Sequence, residues 1–217
     1  RDAKRVIAVE IDHKLIPPLK EVMGQSENCQ IIQGDILELD PAIIVGEAGY
    51  LVVANIPYYI TSAIIRHLLA ASVKPSRLVL TMQQEVAKRI CAEPGELSLL
   101  ALSVQVFGYP RIVAAISAGS FFPQPKVDSA TLRVDIYQEP LMNDRQIADF
   151  FVLAKAGFSQ KRKMLRNTLS SGLKIPPAQA EELLRSAGID PTRRAQTLDL
   201  VEWRTLVGEY ENWEGNR

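Results

Sequence analysis

The run Asn55-Ile56-Pro57-Tyr58-Tyr59 follows the apolar residues 50–54 without a break. Proline fixes its own φ and holds the residue before it extended, so this turn is stiff. A stiff turn can aim the Asn55 carboxamide and nearby backbone carbonyls at one small target, and an aromatic side chain follows at once. Carbonyl acceptors beside an aromatic face suit a flat ring bearing an exocyclic NH2, such as adenine. The plainer reading is a proline turn with a tyrosine covering the core.

Two further clusters have comparable potential. Ser120-Phe121-Phe122-Pro123-Gln124-Pro125-Lys126-Val127-Asp128-Ser129 is a loop stiffened by two prolines that presents an aromatic ring beside a lysine. Its plainer reading is a hairpin connection with phenylalanines tucked into the core. Between Phe150 and Ala180 there are six basic residues (Lys155, Lys161, Arg162, Lys163, Arg166 and Lys174) and no acidic one. If residues 159–170 are helical, Arg162 and Arg166 share one face and Leu165 and Leu169 another. A basic stripe of this kind can contact phosphates, or it can simply be a solvated face. Glu10 and Asp35 each close an apolar run. Carboxylates there can accept hydrogen bonds from ribose hydroxyls or from an adenine amino group, or they can be ordinary turn formers.

The elements that must position these residues follow from periodicity. Residues 6–9, 30–33, 50–54 and 77–82 read as short buried strands, and residues 111–116 and 131–137 as closing strands across the proline-rich turn. Residues 14–23, 62–71, 85–93 and 97–107 read as the helices between them. Alternating strands and helices predict an α/β fold with a mostly parallel sheet, whose ligands sit at the carboxyl ends of the strands. After Pro140 helical patterns dominate, at residues 144–156, 159–170, 178–187 and 200–210. This predicts an α/β domain over residues 1–139 and a small all-helical domain over residues 140–217.

Composition narrows the classes. The 217 residues are 47% hydrophobic and 23% charged with zero formal net charge, so nucleic-acid contact must come from a local basic surface. Two cysteines, Cys29 and Cys91, and two isolated histidines, His13 and His67, predict no metal site and a reducing compartment, the cytoplasm. No apolar run reaches the roughly 18 residues of a membrane helix, and no signal peptide precedes the first strand.

Taken in order, VIAVEID, GDIL, NIPYYITSAI, FFPQPKVDSA, FSQKRKMLRNTL and GIDPTRRAQTL resemble the ribosomal RNA adenine N6,N6-dimethyltransferase family, and within it the KsgA-type small-subunit enzymes. The resemblance runs from about Val6 to Val207. It implies a Rossmann-like methyltransferase domain that uses S-adenosyl-L-methionine, joined to a helical RNA-contacting domain. Glu10 is then expected on the cofactor ribose, Ile11 on its adenine and Asp35 on the adenine amino group, with Ile36 and Asn55 completing that site. Asn55, Ile56, Pro57 and Tyr58 become the catalytic target-base motif. Phe121 closes the other side of the base, with Phe122 as the second choice. Lys126, Lys161, Arg162, Lys163 and Arg166 are expected on RNA.

The implied activity is methyl transfer to N6 of adenosines in 16S ribosomal RNA during ribosome biogenesis. The implied partner is the small ribosomal subunit, and the enzyme is expected to be a monomer. Three other readings stay open: an Erm-type 23S ribosomal RNA methyltransferase, a non-catalytic ribosome-assembly factor and, more weakly, a DNA adenine methyltransferase, whose catalytic motif usually begins with Asp rather than Asn. The family opens with a strand and a glycine-rich loop, E-x-G-x-G-x-G, that cradles the methionine part of the cofactor. That motif does not occur in these residues, so roughly 50 family residues are expected upstream of Arg1. The sheet edge beside residues 6–9 and 52–54 is expected to be exposed.

Overall fold

The computed structural model describes residues 3–23 and 26–215, so the outer ends of the two expected domains, residues 1–2 and 216–217, lie outside the described residues. The β-branched run Val6–Glu10 (β1) pairs in parallel with Cys29–Gln33 (β2), Val6 opposite Cys29 and Glu10 opposite Gln33. Helix α1 (Ile16–Met23) makes the crossover between them and carries Pro17 and Pro18 in its first turn, where no intrahelical donor is needed. The short α2 (Pro41–Ile44) follows, its N-cap Asp40 accepting a hydrogen bond from the Ala42 amide at 2.8 Å.

A second sheet has the order β3-β4-β6-β5, built from Leu51–Asn55 (β3), Arg77–Gln83 (β4), Gly108–Ile116 (β5) and Ser129–Ile136 (β6). Helix α3 (Thr61–Ala70) crosses over from β3 to β4, which are parallel. Helices α4 (Gln84–Ile90) and α5 (Leu99–Gln105) lie between β4 and β5. The sheet is mostly parallel in sense, as expected: β3, β4 and β5 run the same way, and β6 runs antiparallel to both β4 and β5. The connection over residues 117–128 contains only a 3-10 turn, and without a crossover helix the chain returns antiparallel.

Alternation along the strands sends Leu78, Leu80, Met82, Ala130, Leu132 and Val134 into a core beneath α3 and α4. On the strand edge beyond β4, Leu51 and Val53 stay 65% and 78% exposed. Among the described residues no ladder joins β1 to β3, so both keep a free edge, as the sequence leads one to expect.

Among the described residues that follow, the α-helices are α6 (Asp144–Gly157), α7 (Leu165–Leu173), α8 (Pro177–Ser186) and α9 (Leu200–Gly215). Asn143 and Gln146 close a reciprocal capping box at the start of α6. The helical core gathers around Trp203, with Phe150 edge-on at 6.2 Å and Phe158 stacked at 6.1 Å between ring centroids. Helices α6 and α7 approach so closely at Gly172 that a Cβ there would stand 2.4 Å from the Ala156 Cβ.

The expected helix over residues 159–170 begins late, at Leu165, and residues 159–164 form turns. The cause is tertiary. The first amides of α7, Leu165 and Arg166, donate to the carbonyls of Arg193 and Pro191 at 2.7 and 3.3 Å, so a distant segment sets where the helix starts. The two cores meet at α5, which gives Val104 to the sheet core and Ala101 and Leu102 to the helical core, joined there by its C-cap Val106.

Candidate active site

Asn55 is the last residue of β3, opposite Thr81, and its side chain is exposed. Beyond it Ile56 is buried to 5% exposure and donates its amide to the Thr81 carbonyl at 3.2 Å, which anchors the turn to β4. Pro57, at φ −59° and ψ 134°, directs the chain into the 3-10 turn Tyr58–Ile60. Its carbonyl accepts from the Ile60 amide at 3.2 Å and from the Thr61 hydroxyl at 3.4 Å. Among the described residues neither the Asn55 carboxamide nor the Ile56 carbonyl has a hydrogen-bond partner. Two adjacent acceptors, the exposed Asn55 carboxamide and the Ile56 carbonyl, are therefore unpartnered among the described residues, while the Pro57 carbonyl is already engaged. Tyr58 is half-buried, and its hydroxyl lies 2.6 Å from the Ser129 hydroxyl.

That bond joins the turn to the second aromatic cluster. The ladders place Gln83, Ser129 and Ile116 side by side, so the loop over residues 117–128 springs from the same end of the sheet as Asn55. Phe121 is half-buried there, and its amide donates to the Ala118 carbonyl at 3.3 Å. Phe122 is fully exposed, which favours Phe121 as a fixed ring wall. Lys126 is exposed on the same loop.

The carboxylates sit at the matching ends of β1 and β2. The Glu10 carbonyl accepts from the Gly34 amide at 3.0 Å, which brings the two ends together. One Glu10 carboxylate oxygen accepts from the Asp12 amide at 2.8 Å, and one Asp35 oxygen accepts from the Leu37 amide at 2.9 Å. Each carboxylate is thus oriented through one oxygen and keeps the other for a ligand. Ile11, 65% exposed, presents an apolar side chain next to Glu10, and Ile36 is half-buried beside Asp35. An exposed apolar surface flanked by two oriented acceptors fits a nucleoside, whose ring needs a hydrophobic wall and whose hydroxyl and amino groups need acceptors.

The basic residues are arranged differently from the expected stripe. Lys161, Arg162 and Lys163 are exposed on the turn before α7, the Lys163 amide closing it on the Gln160 carbonyl at 3.0 Å. Arg162 therefore shares no helical face with Arg166. The Arg166 guanidinium meets the Glu181 carboxylate of α8 at 3.3 Å. The GIDPTRRAQTL segment is structural in the fold. Arg193 binds Glu202 and the Thr197 carbonyl, and Gln196 exchanges two 2.8 Å hydrogen bonds with Gly95 of the sheet domain.

A cleft of about 820 Å³ lies between α3, α5, α6 and the linker; Lys155 of the basic cluster lines it, and none of the cofactor or target-base candidates does. Residues that sequence reasoning did not single out are Thr61, Asp128 and Ser129. Asp128 and Ser129 were visible only as letters of the FFPQPKVDSA run, because their partners lie in other parts of the sequence. Among the described residues no group of three or more His, Cys, Asp or Glu is placed to hold a metal, and no helix is long and apolar enough to cross a membrane.

Comparison with known proteins converges on one family. The family model described as ribosomal RNA adenine dimethylase matches residues 1–210. A protein of Dehalococcoides mccartyi named ribosomal RNA small subunit methyltransferase A is 46% identical over 209 residues, covering 96% of this chain and 72% of that protein. One of the same name from Alkaliphilus oremlandii is 38% identical over 212 residues, covering 94% and 74%. The crystal structure of a dimethyladenosine transferase from Plasmodium falciparum shares the fold with a TM-score of 0.81 at 23% identity, over 97% of this chain and 83% of that one. The 23S rRNA methyltransferase ErmE superposes with a TM-score of 0.74 at 25% identity, over 96% and 83%. With a Rossmann-like α/β part, a helical part and the family's model matching residues 1–210, this chain belongs to the ribosomal RNA adenine dimethylase family.

Proposed function

We propose that this protein transfers methyl groups from S-adenosyl-L-methionine to N6 of adenosines in small-subunit (16S) ribosomal RNA, giving N6,N6-dimethyladenosine, and that it does so as a monomer in the cytoplasm. The observation that carries the reading is the fastened Asn55-Ile56-Pro57-Tyr58 turn with its two acceptors unpartnered among the described residues. The small subunit is preferred over the large because relatives named for it reach 46% and 38% identity, against 25% for ErmE.

Glu10, Ile11, Asp35 and Ile36 would hold the nucleoside part of S-adenosylmethionine, which when bound supplies an electrophilic methyl group. The target adenosine must leave its stack to enter, and Tyr58 and Phe121 offer rings on which the base can stack, each worth roughly 1–3 kcal/mol. The N6 lone pair is delocalised into the ring and is a poor nucleophile. The Asn55 side-chain oxygen and the Ile56 carbonyl accept the two N6–H groups, which favours a pyramidal nitrogen and turns its lone pair toward the methyl donor. With the donor bound, the nitrogen would take the methyl group from its sulfonium and release its proton to water, so no histidine is needed. For the second methyl only one N6–H remains, and one acceptor suffices.

The two domains, residues 1–139 and 140–217, divide the work: the first holds the cofactor and base, the second contacts RNA. Lys161, Arg162 and Lys163, exposed and free of ion pairs among the described residues, are the better phosphate contacts, joined by Lys126 on the base-site loop. Arg166 reaches RNA only by sharing or leaving Glu181. Asn55→Ala tests the reading: methyl transfer to unmethylated small subunits should be lost while cofactor binding persists. Parent-like turnover in that variant would overturn it.

A further inference from the structure

We propose that Asp128 and Ser129 are positioning residues that set the gap between the two aromatic walls of the target-base site, an inference that rests on the function proposed above. Ser129 is fully buried, and β-ladder pairing with Gln83 on one side and Ile116 on the other fixes its place. Its hydroxyl holds the Tyr58 hydroxyl at 2.6 Å. Asp128, one residue earlier, accepts the Ala118 amide on its carboxylate at 2.9 Å, which closes the neck of the loop that carries Phe121. Its backbone carbonyl accepts the amide of Gln84, the first residue of α4, at 3.0 Å, tying the same point to a third element.

Each aromatic wall is therefore held through one hydrogen bond to one of two consecutive residues, and a single peptide unit sets the register between them. A tyrosine tied at its hydroxyl keeps one rotamer before the base arrives, so less side-chain freedom has to be given up on binding. A loop closed at its neck holds Phe121 in the same way. Without these ties both rings still exist, but stacking has to be organised anew at each encounter.

The alternative is that both bonds merely satisfy buried or half-buried polar groups and support folding. The full-length enzyme on unmethylated small ribosomal subunits separates the two, assayed well below the melting temperature of every variant. Ser129→Ala and Tyr58→Phe remove the same hydrogen bond from opposite ends. Each should lower kcat/KM for RNA roughly three- to tenfold with cofactor affinity unchanged, and the double variant should be no worse than the weaker single. Asp128→Ala should show a loss of similar size, and Asp128→Asn, which keeps a side-chain oxygen to accept the Ala118 amide, should restore most of it.

Parent-like kcat/KM in Ser129→Ala, additive losses in the double variant, or failure of Asp128→Asn to rescue would each overturn the positioning role. Tyr58→Ala guards the underlying reading. If that variant keeps full activity, the base-site assignment itself fails. If it is crippled while Ser129→Ala is not, only the positioning inference fails.

Discussion

At the scale of single residues, the structure sorts the candidate acceptors by what they already hold. Pro57 has a committed carbonyl, whereas Asn55 and Ile56 do not. Asn55→Ala should reduce kcat for methyl transfer on the order of 100-fold, the usual size for losing one preorganised polar group aimed at a reacting atom. Because its carboxamide is exposed and unpartnered among the described residues, the melting temperature should barely move, and a differential scan beside the rate assay checks both. Glu10→Ala removes one free, oriented carboxylate oxygen from the ribose, and calorimetry should show cofactor binding weakened by about 1.5–3 kcal/mol. Unchanged affinity would return Glu10 to its local role of bonding the Asp12 amide. These residues could be singled out in the sequence as candidates because they sit in compact motifs whose stiffness is local. Ser129 was not, since its meaning lies in a bond to Tyr58, 71 positions away.

At the scale of elements, strands and helices are legible where the pattern is local and less so where a distant segment decides. Alternation and β-branching mark all six strands, but not that β6 inserts antiparallel between β4 and β5. The start of α7 is hidden from local periodicity because its first amides are capped by Pro191 and Arg193. That shift moves the basic residues from a helical stripe to an exposed turn and gives a sharper expectation. Changing Lys161, Arg162 and Lys163 to glutamine should weaken RNA binding and reduce the salt slope by roughly 0.7–0.9 for each phosphate no longer neutralised. Arg166→Gln, which breaks the pair with Glu181, should act on thermal stability and leave that slope nearly intact.

The capping segment itself depends on Glu202, whose carboxyl is held below the usual carboxylate range chiefly by the hydrogen bond from Arg193. A carboxyl with a lowered folded value contributes stability above the ordinary carboxylate range and loses it as pH falls through that lowered value. Glu202→Gln should therefore cost about 1.5–3 kcal/mol near neutral pH. Chemical denaturation across pH should show the difference from the parent shrinking as the solution turns acid.

At the scale of the whole molecule, the candidate acceptors lie at strand carboxyl ends, and the exposed cluster Lys161, Arg162 and Lys163 lies in the helical part. Asn55, the neck of the Phe121 loop, Glu10 and Asp35 all follow carboxyl ends of parallel strands or the hairpin beside them. The helical half is coupled to the sheet through α5 and through the paired hydrogen bonds of Gln196 with Gly95. The turn to helices alone after Pro140 was readable from the change of texture there. The sharing of α5 between both cores was not, because an amphipathic pattern shows that a face is buried but not against what. The central claim is that the Asn55 turn presents adenine N6 for methylation. Its most direct test is to incubate the full-length enzyme and isotopically labelled S-adenosylmethionine with small ribosomal subunits lacking the modification, then digest the RNA and identify the labelled nucleoside. The account predicts N6,N6-dimethyladenosine from the parent enzyme and nearly none from Asn55→Ala; label on any other nucleoside, or subunits bound but left unmethylated by the parent, would contradict it.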